Sequence, residues 1–103
     1  MSSEEQTRLT CPDCRGPLQI IRHGKNLELK CRIGHSYSPQ AAIAAHDEAE
    51  ERVLWSAIEM LEEGADLAEQ VADFHPQKEQ VRASAPVKRR AAKRIRAAVE
   101  DEI

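Results

Sequence analysis

The sequence predicts an α+β protein in which a small N-terminal zinc ribbon, a β-hairpin with two metal knuckles, precedes a long helix and a helical tail. All three cysteines and three of the four glycines fall within residues 9–38. After that point Gly64 is the only glycine, and the few aromatic residues and many alanines are typical of helices that pack through narrow seams. We expect five segments: a polar leader at residues 1–8, the zinc ribbon at 9–38, a long acidic helix at 39–74, a connector at 75–86 and a basic helical tail at 87–103.

The ribbon is predicted from its strand and turn signals. Residues 1–8 are a polar leader without the apolar stretch of a secretory signal, and we expect disorder at its tip. Residues 18–22 are rich in β-branched side chains, and residues 23–26 have turn chemistry. Residues 27–31 then alternate apolar and polar, which is typical of a half-buried strand. This hairpin would carry Cys31 on its inner face.

The pattern C-x2-C-x16-C-x3-H joins Cys11, Cys14, Cys31 and His35. Three cysteines and one histidine form a standard closed, tetrahedral site for a structural zinc ion. Glycines at positions 16 and 34 suit the tight backbone turns of the two knuckles. A chain of about 30 residues is too short for a self-sufficient core, because below roughly 40 residues a metal or disulfide is usually needed. We therefore expect one structural Zn²⁺ ion.

The cysteines have three other interpretations. Incidental free thiols are disfavoured by the specific spacing, and a redox CxxC lacks its usual βαβ setting. A catalytic zinc would need an open coordination position, although His46 could intrude as a further ligand.

No apolar stretch reaches the roughly 18 residues of a membrane span. The sequence thus favours a cytoplasmic protein that is not an enzyme, with no membrane association and no small-molecule substrate.

The helical part begins at Pro39, with Ser38 as its cap. Apolar positions three and four residues apart define one predicted core-facing stripe on the long helix, formed by Ile43, Leu54, Ile58, Leu61, Ala65, Ala68 and Val71 or Ala72. The pair at 75–76 ends this helix, and residues 84–86 mark a second break. The final helix then has one apolar side, comprising Val87, Ala91, Ile95, Ala98, Val99 and Ile103.

Charge is segregated along the helical part. Residues 47–73 contain ten acidic and one basic residue, whereas residues 78–96 contain eight basic and one acidic residue. The tail could fold back antiparallel on the long helix, bind nucleic acid, or pair with a second copy of the chain. Trp55 is the best anchor for a protein partner. The candidate partner-binding residues are Trp55, Arg89, Arg90, Lys93 and Arg94.

The segments CPDCRGPL, CRIGHSYSPQ and ERVLWSAIEMLEE occur in this order along residues 9–72. Their order resembles a C-terminal extension found in some bacterial chemotaxis protein-glutamate methylesterases, without the esterase domain and its Ser/His/Asp site. The resemblance implies a ribbon-plus-helix module with a link to signalling. We therefore predict a structural-zinc interaction or regulatory module in chemotaxis-related signalling, which acts through protein–protein contacts. The alternative is a zinc-ribbon regulator that binds nucleic acid through its basic tail.

Overall fold

The predicted α+β class is confirmed by a computed structural model, which describes the backbone of residues 2–102 and the side chains of residues 7–101. An antiparallel sheet precedes two helices, and the chain divides into two compact units, residues 1–49 and 50–103. Within residues 2–102, none of the helices combines the length and the apolar character that crossing a membrane requires.

The sheet of the first unit has four strands arranged in chain order: β1 (Ser2–Thr10), β2 (Pro17–His23), β3 (Asn26–Cys31) and β4 (Ser36–Tyr37). Strands β2 and β3 form the predicted hairpin, with Leu18 opposite Cys31 in the register. Its two-residue turn contains Gly24 at φ +61°, in the left-handed region that such turns require. The predicted strands and their register therefore place Cys31 on the inner side.

Strand β1 corrects the expectation for the polar leader. The prediction of residues 1–8 as a leader with a disordered tip is wrong for residues 2–8, which pair with β2 along the sheet edge. The register shifts between Gln6 and Thr10, and the Thr7 hydroxyl donates to the Leu18 carbonyl at 3.0 Å. The open edge of β2 offers backbone groups that need partners, so a polar segment without strand periodicity still pairs there. Met1 lies outside the described residues.

The core of the first unit is small. Four side chains are buried together, namely those of Cys11, Leu18, Leu29 and Cys31. Partly buried side chains pack against them from the sheet and from the first turns of the helix: Ile20, Leu27, Tyr37 and Ala42. Because two of the four buried residues are proposed metal ligands, the core and the candidate metal centre are parts of one cluster.

Helix α1 spans Pro39–Val71, a single 3-10 turn follows at Ala72–Phe74, and helix α2 spans Lys78–Glu102. The Ser38 hydroxyl accepts the Ala41 N–H at 3.1 Å, which is the predicted cap. The predicted connector over residues 75–86 is wrong, since α2 begins at Lys78 and continues through Pro86. A proline costs a helix one backbone hydrogen bond and a local clash. The neighbouring Ala85 is buried and belongs to a core cluster with Ala65 and Ala68.

In the second unit, α2 runs antiparallel to the C-terminal part of α1. Arg82 pairs with Asp73, whereas Arg96 pairs with Glu62 at 2.7 Å, so positions rise on α2 as they fall on α1. The tail thus folds back in cis, as the first of the three interpretations expected. The buried residues between the helices are mostly alanines: Ile58, Ala65, Ala68, Ala72, Ala85, Ala92 and Val99. Of the predicted apolar positions, Ile43, Val87 and Ala98 are instead exposed. Of the alternatives Val71 and Ala72, Ala72 is the buried one, and Ile103 is outside the described residues.

Candidate metal centre

The first knuckle connects β1 to β2. The Cys11 N–H donates to the Gly16 carbonyl at 2.7 Å, and the Arg15 N–H donates to the Cys11 carbonyl at 2.8 Å. We expected Gly16 to serve the backbone turn, but Arg15 is the residue with a left-handed φ of 64°. A Cβ at position 16 would lie 3.3 Å from the Cys14 Sγ, and the Gly16 N–H donates to that sulfur at 3.4 Å. Glycine at this position therefore leaves room for the sulfur.

The second knuckle connects β3 to β4. The Cys31 N–H donates to the His35 carbonyl at 3.0 Å, and the Gly34 N–H donates to the Cys31 carbonyl at 3.2 Å. Gly34 has φ +103°, a conformation that other residues rarely adopt, as the sequence predicted. The turn also directs the His35 N–H at the Cys31 Sγ, 3.3 Å away. Each knuckle thus donates a backbone N–H to one of its own sulfurs.

The four predicted ligands come together. One atom from each of Cys11, Cys14, Cys31 and His35 lies within 4.8 Å of the others, close enough to bind a metal ion. The Cys14 and Cys31 sulfurs are 3.8 Å apart. The His35 Nδ1 is 3.5 Å from the Cys11 Sγ and 3.3 Å from the Cys31 Sγ. Cys11 and Cys31 are buried, whereas Cys14 is exposed, so one side of the cluster is at the surface.

Hydrogen bonds favour a thiolate at Cys11. Burial of its side chain raises the pKa, but hydrogen bonds from the Tyr37 hydroxyl and from two backbone N–H groups of the first knuckle outweigh burial. The net effect lowers the Cys11 pKa from 9.0 to about 6. The Tyr37 hydroxyl lies 3.3 Å from the Cys11 Sγ and is also hydrogen-bonded to the Asp13 carboxylate, so the two acceptors share its single proton. That carboxylate and the neighbouring sulfur raise the pKa of Tyr37, which keeps its proton.

The other members of the cluster influence one another. Burial raises the pKa of Cys31, but backbone and side-chain hydrogen bonds outweigh it and lower the pKa overall. The Gly16 N–H lowers the pKa of Cys14, whereas burial and the two neighbouring sulfurs raise it, and the net shift is upward. Hydrogen bonds to the Cys31 and Cys11 sulfurs raise the pKa of His35. The net shifts therefore favour the thiolate at Cys11 and Cys31 and the thiol at Cys14.

The sequence analysis did not identify two residues that contribute to the site. Tyr37 and Asp13 have no metal-ligand spacing, so the cysteine pattern does not point to them. The available signal is positional: Tyr37 follows His35 by two residues in β4, and Asp13 lies inside the first knuckle. His46, which the sequence allowed as a further ligand, lies on α1 outside the four-residue cluster.

The structure places the predicted partner-binding residues in different surroundings. Trp55 is half-buried, and the Arg96 guanidinium lies over its ring, 5.4 Å from the centroid. Arg89 is engaged by two carboxylates of α1, Asp66 at 2.8 Å and Glu69. Three other basic residues on α2 are exposed and make no ion pair among the described side chains: Arg90, Lys93 and Arg94.

Comparison of the chain with protein-family models, with curated proteins and with solved structures finds no match. The resemblance to the methylesterase extension therefore stays a prediction.

Proposed function

We propose that the protein binds one zinc ion as a structural centre and acts in bacterial signalling through protein–protein contacts. The observation that carries the zinc assignment is the spacing of the four ligand atoms. Zinc–sulfur bonds of about 2.3 Å and zinc–nitrogen bonds of about 2.0 Å imply tetrahedral S–S edges of about 3.8 Å and S–N edges of about 3.5 Å. The corresponding separations here are 3.8 Å between sulfurs and 3.3 and 3.5 Å to the His35 Nδ1.

A structural role is supported by the donor set and by the core. Four protein donors fill a tetrahedral shell, which leaves no position for substrate. The buried ligands Cys11 and Cys31 pack with only two buried leucines, Leu18 and Leu29. Zinc binding contributes about 10 kcal/mol or more to the folding of small zinc-finger peptides. The ribbon would therefore fold with its metal, and the zinc would have a structural role and no catalytic one.

The zinc assignment is tested by elemental analysis of protein purified without added metal, beside two histidine variants. We expect one zinc per chain in the wild type and in His23→Ala, whose exposed side chain is outside the cluster. His35→Ala removes a ligand and should lose both the zinc and the dispersed amide NMR signals of β2 and β3. Wild-type protein without stoichiometric zinc, or equal zinc in both variants, would reject the assignment.

The proposed signalling role is supported by the resemblance over residues 9–72 and by the many solvent-exposed side chains of the helical unit, which a protein partner could contact. The test is capture from a lysate of a chemotactic bacterium with the tagged, zinc-loaded protein, followed by mass spectrometry. Chemotaxis components should be enriched by the wild type and reduced by Trp55→Ala, because a half-buried tryptophan is a frequent interface anchor. Equal enrichment by a tag-only control would count against this role and leave the zinc assignment intact.

Nucleic-acid binding is the second candidate, because Arg90, Lys93 and Arg94 are exposed and make no ion pair among the described side chains. Arg89 and Arg96 are less available, since α1 carboxylates engage both. Each phosphate neutralised should contribute about −0.9 to the slope of log affinity against log salt. Fluorescence anisotropy with duplex DNA would detect this slope and its loss when the three residues are replaced by alanine. No binding at low salt would exclude this candidate.

A further inference from the structure

Five large apolar side chains on α1 and the 3-10 turn after it face solvent, and four of them lie at regular spacing. Val53, Met60, Leu67 and Phe74 recur every seven residues, with exposed fractions of 62, 69, 59 and 89%. Val71, at 38%, lies beside them. We call these five residues the outer stripe. A seven-residue repeat is the spacing of side chains at a seam between packed helices. Contiguous exposed apolar surface of this kind marks an interaction site.

The outer stripe and the ion pairs lie on opposite sides of α1. At 100° per residue, Met60 and Glu62 are about 160° apart around the helix. Glu62 belongs to the charged side, where it pairs with Arg96. On the other side, the aliphatic part of Lys88 approaches Gly64 so closely that a Cβ there would be 3.3 Å from the Lys88 Cδ. One face of the helical hairpin is thus closed by ion pairs, and the other is apolar and uncovered.

The helical hairpin buries few large apolar side chains between its two helices. Five of its seven buried side chains are alanines, and only Ile58 and Val99 are larger. A two-helix unit of about 50 residues with such a core is marginally stable by itself, because small domains bury a smaller share of their surface. Five large apolar side chains lie instead on the outer stripe. Covering that stripe with two more helices would produce a four-helix bundle, the usual arrangement for this spacing.

The charges at the edge of the stripe indicate what covers it. Glu63 lies on α1 at the solvent edge of the stripe, and Arg94 lies at the corresponding edge of α2. Neither makes an ion pair among the described side chains. In a two-fold arrangement, the same patch is used on both chains. Placing α1 of one chain over α2 of the other brings Glu63 towards Arg94 twice in each dimer. An acidic α1 and a basic α2 on one chain are complementary to a second copy of themselves.

We propose that the outer stripe is the dimer interface of this protein, covered by the same face of a second copy in an antiparallel four-helix bundle. This inference goes beyond the proposed function, because it needs neither zinc nor a signalling partner. The occupant is a helical hairpin of identical sequence.

The test is sedimentation equilibrium of the full-length, zinc-loaded chain and three kinds of variant. Met60→Lys places a charge in the stripe and should raise the dimer Kd by at least about tenfold, equivalent to about 1.4 kcal/mol.

The matched control is Ala44→Lys, which adds the same charge at an exposed position of α1 that precedes the second unit. At 100° per residue, Ala44 lies about 160° around α1 from Met60, on the side away from the stripe. This variant should therefore leave the dimer Kd unchanged. Far-UV circular dichroism establishes that both variants are helical.

Exchanging the charges of Glu63 and Arg94 tests whether the outer stripe is covered by a second copy of the chain or by another molecule. Glu63→Arg and Arg94→Glu should each raise the dimer Kd severalfold, and the double exchange should return it towards the wild-type value. Wild-type protein that stays monomeric at about 100 µM overturns the proposal, because interfaces of standard size form well below that concentration. A dimer that Met60→Lys does not weaken also overturns it. Neither result would affect the zinc content, which is measured separately.

Discussion

Truncation of Val99 to alanine should destabilise the helical unit strongly. Val99 is 1% exposed and is one of only two buried side chains larger than alanine among the described residues of that unit. Removing its two outer carbons loses about 1.6 kcal/mol at about 0.8 kcal/mol for each buried CH₂. The cavity that remains adds to this loss, because the helices cannot fully close over it, so the total is about 2 kcal/mol.

The matched control is Val87→Ala, on the same helix but 55% exposed. Both substitutions gain the same helix propensity, so the difference between them isolates burial. Guanidinium unfolding in dilute solution, followed by the fluorescence of Trp55, the only tryptophan, reports on this unit. We expect Val87→Ala to change the free energy of unfolding by less than about 0.5 kcal/mol. Equal losses in the two variants would refute the packing of α2 against α1 through Val99.

Three further predictions concern the metal centre and the charged side of the hairpin. Tyr37→Phe removes the hydroxyl beside the Cys11 sulfur and should weaken zinc affinity about tenfold, measured by competition with a chelating dye. Gly34→Ala forces a side chain into φ +103° and should lower the chelator concentration needed to unfold the ribbon, although no atom lies within 4 Å of the added Cβ. Arg89 lowers the pKa of Glu69 below 4.5, so this pair stabilises the folded state above the carboxyl's unfolded pKa and is lost as pH falls through the lowered value. Arg89→Gln should raise the Glu69 pKa towards 4.5 in an NMR titration, and an unchanged value would contradict the pairing.

The metal ligands could be predicted because their spacing encodes local geometry. Two cysteines separated by two residues share one turn, and the alternation before Cys31 fixes the face on which its sulfur lies. Gly34 could be predicted for the same reason, since its neighbour His35 must turn back towards Cys31. Tyr37 could not, because its contribution depends on the pairing of β4 with β3, where it lies opposite Leu29. That strand pairing is a tertiary contact, and no local sequence pattern predicts it.

The two errors at the secondary-structure level share a cause. Propensity rules disfavour a polar segment at residues 2–8 as a strand and disfavour Pro86 inside a helix. In both places a neighbouring element provides what the local sequence lacks. The free edge of β2 offers hydrogen-bond partners to β1, and around Pro86 the helix packs against α1 through the buried Ala85. Tertiary contacts override local preference where the preference is worth only a few kcal/mol.

The distribution of apolar residues on α1 explains why the predicted stripe, although buried or partly buried at its other positions, also included the exposed Ile43. Apolar residues occur on two sides of this helix, so spacings of three and four fit more than one stripe. Alanines at positions 65, 68 and 72 allow α2 to approach closely, and the close approach buries them. Larger side chains such as Met60 and Leu67 would hold a neighbouring helix farther away and are left outside. A helix with small residues on one side and large residues on the other is suited to two neighbours at different distances. The first neighbour is α2. The sedimentation experiment on Met60→Lys tests whether the second neighbour is another copy of the chain.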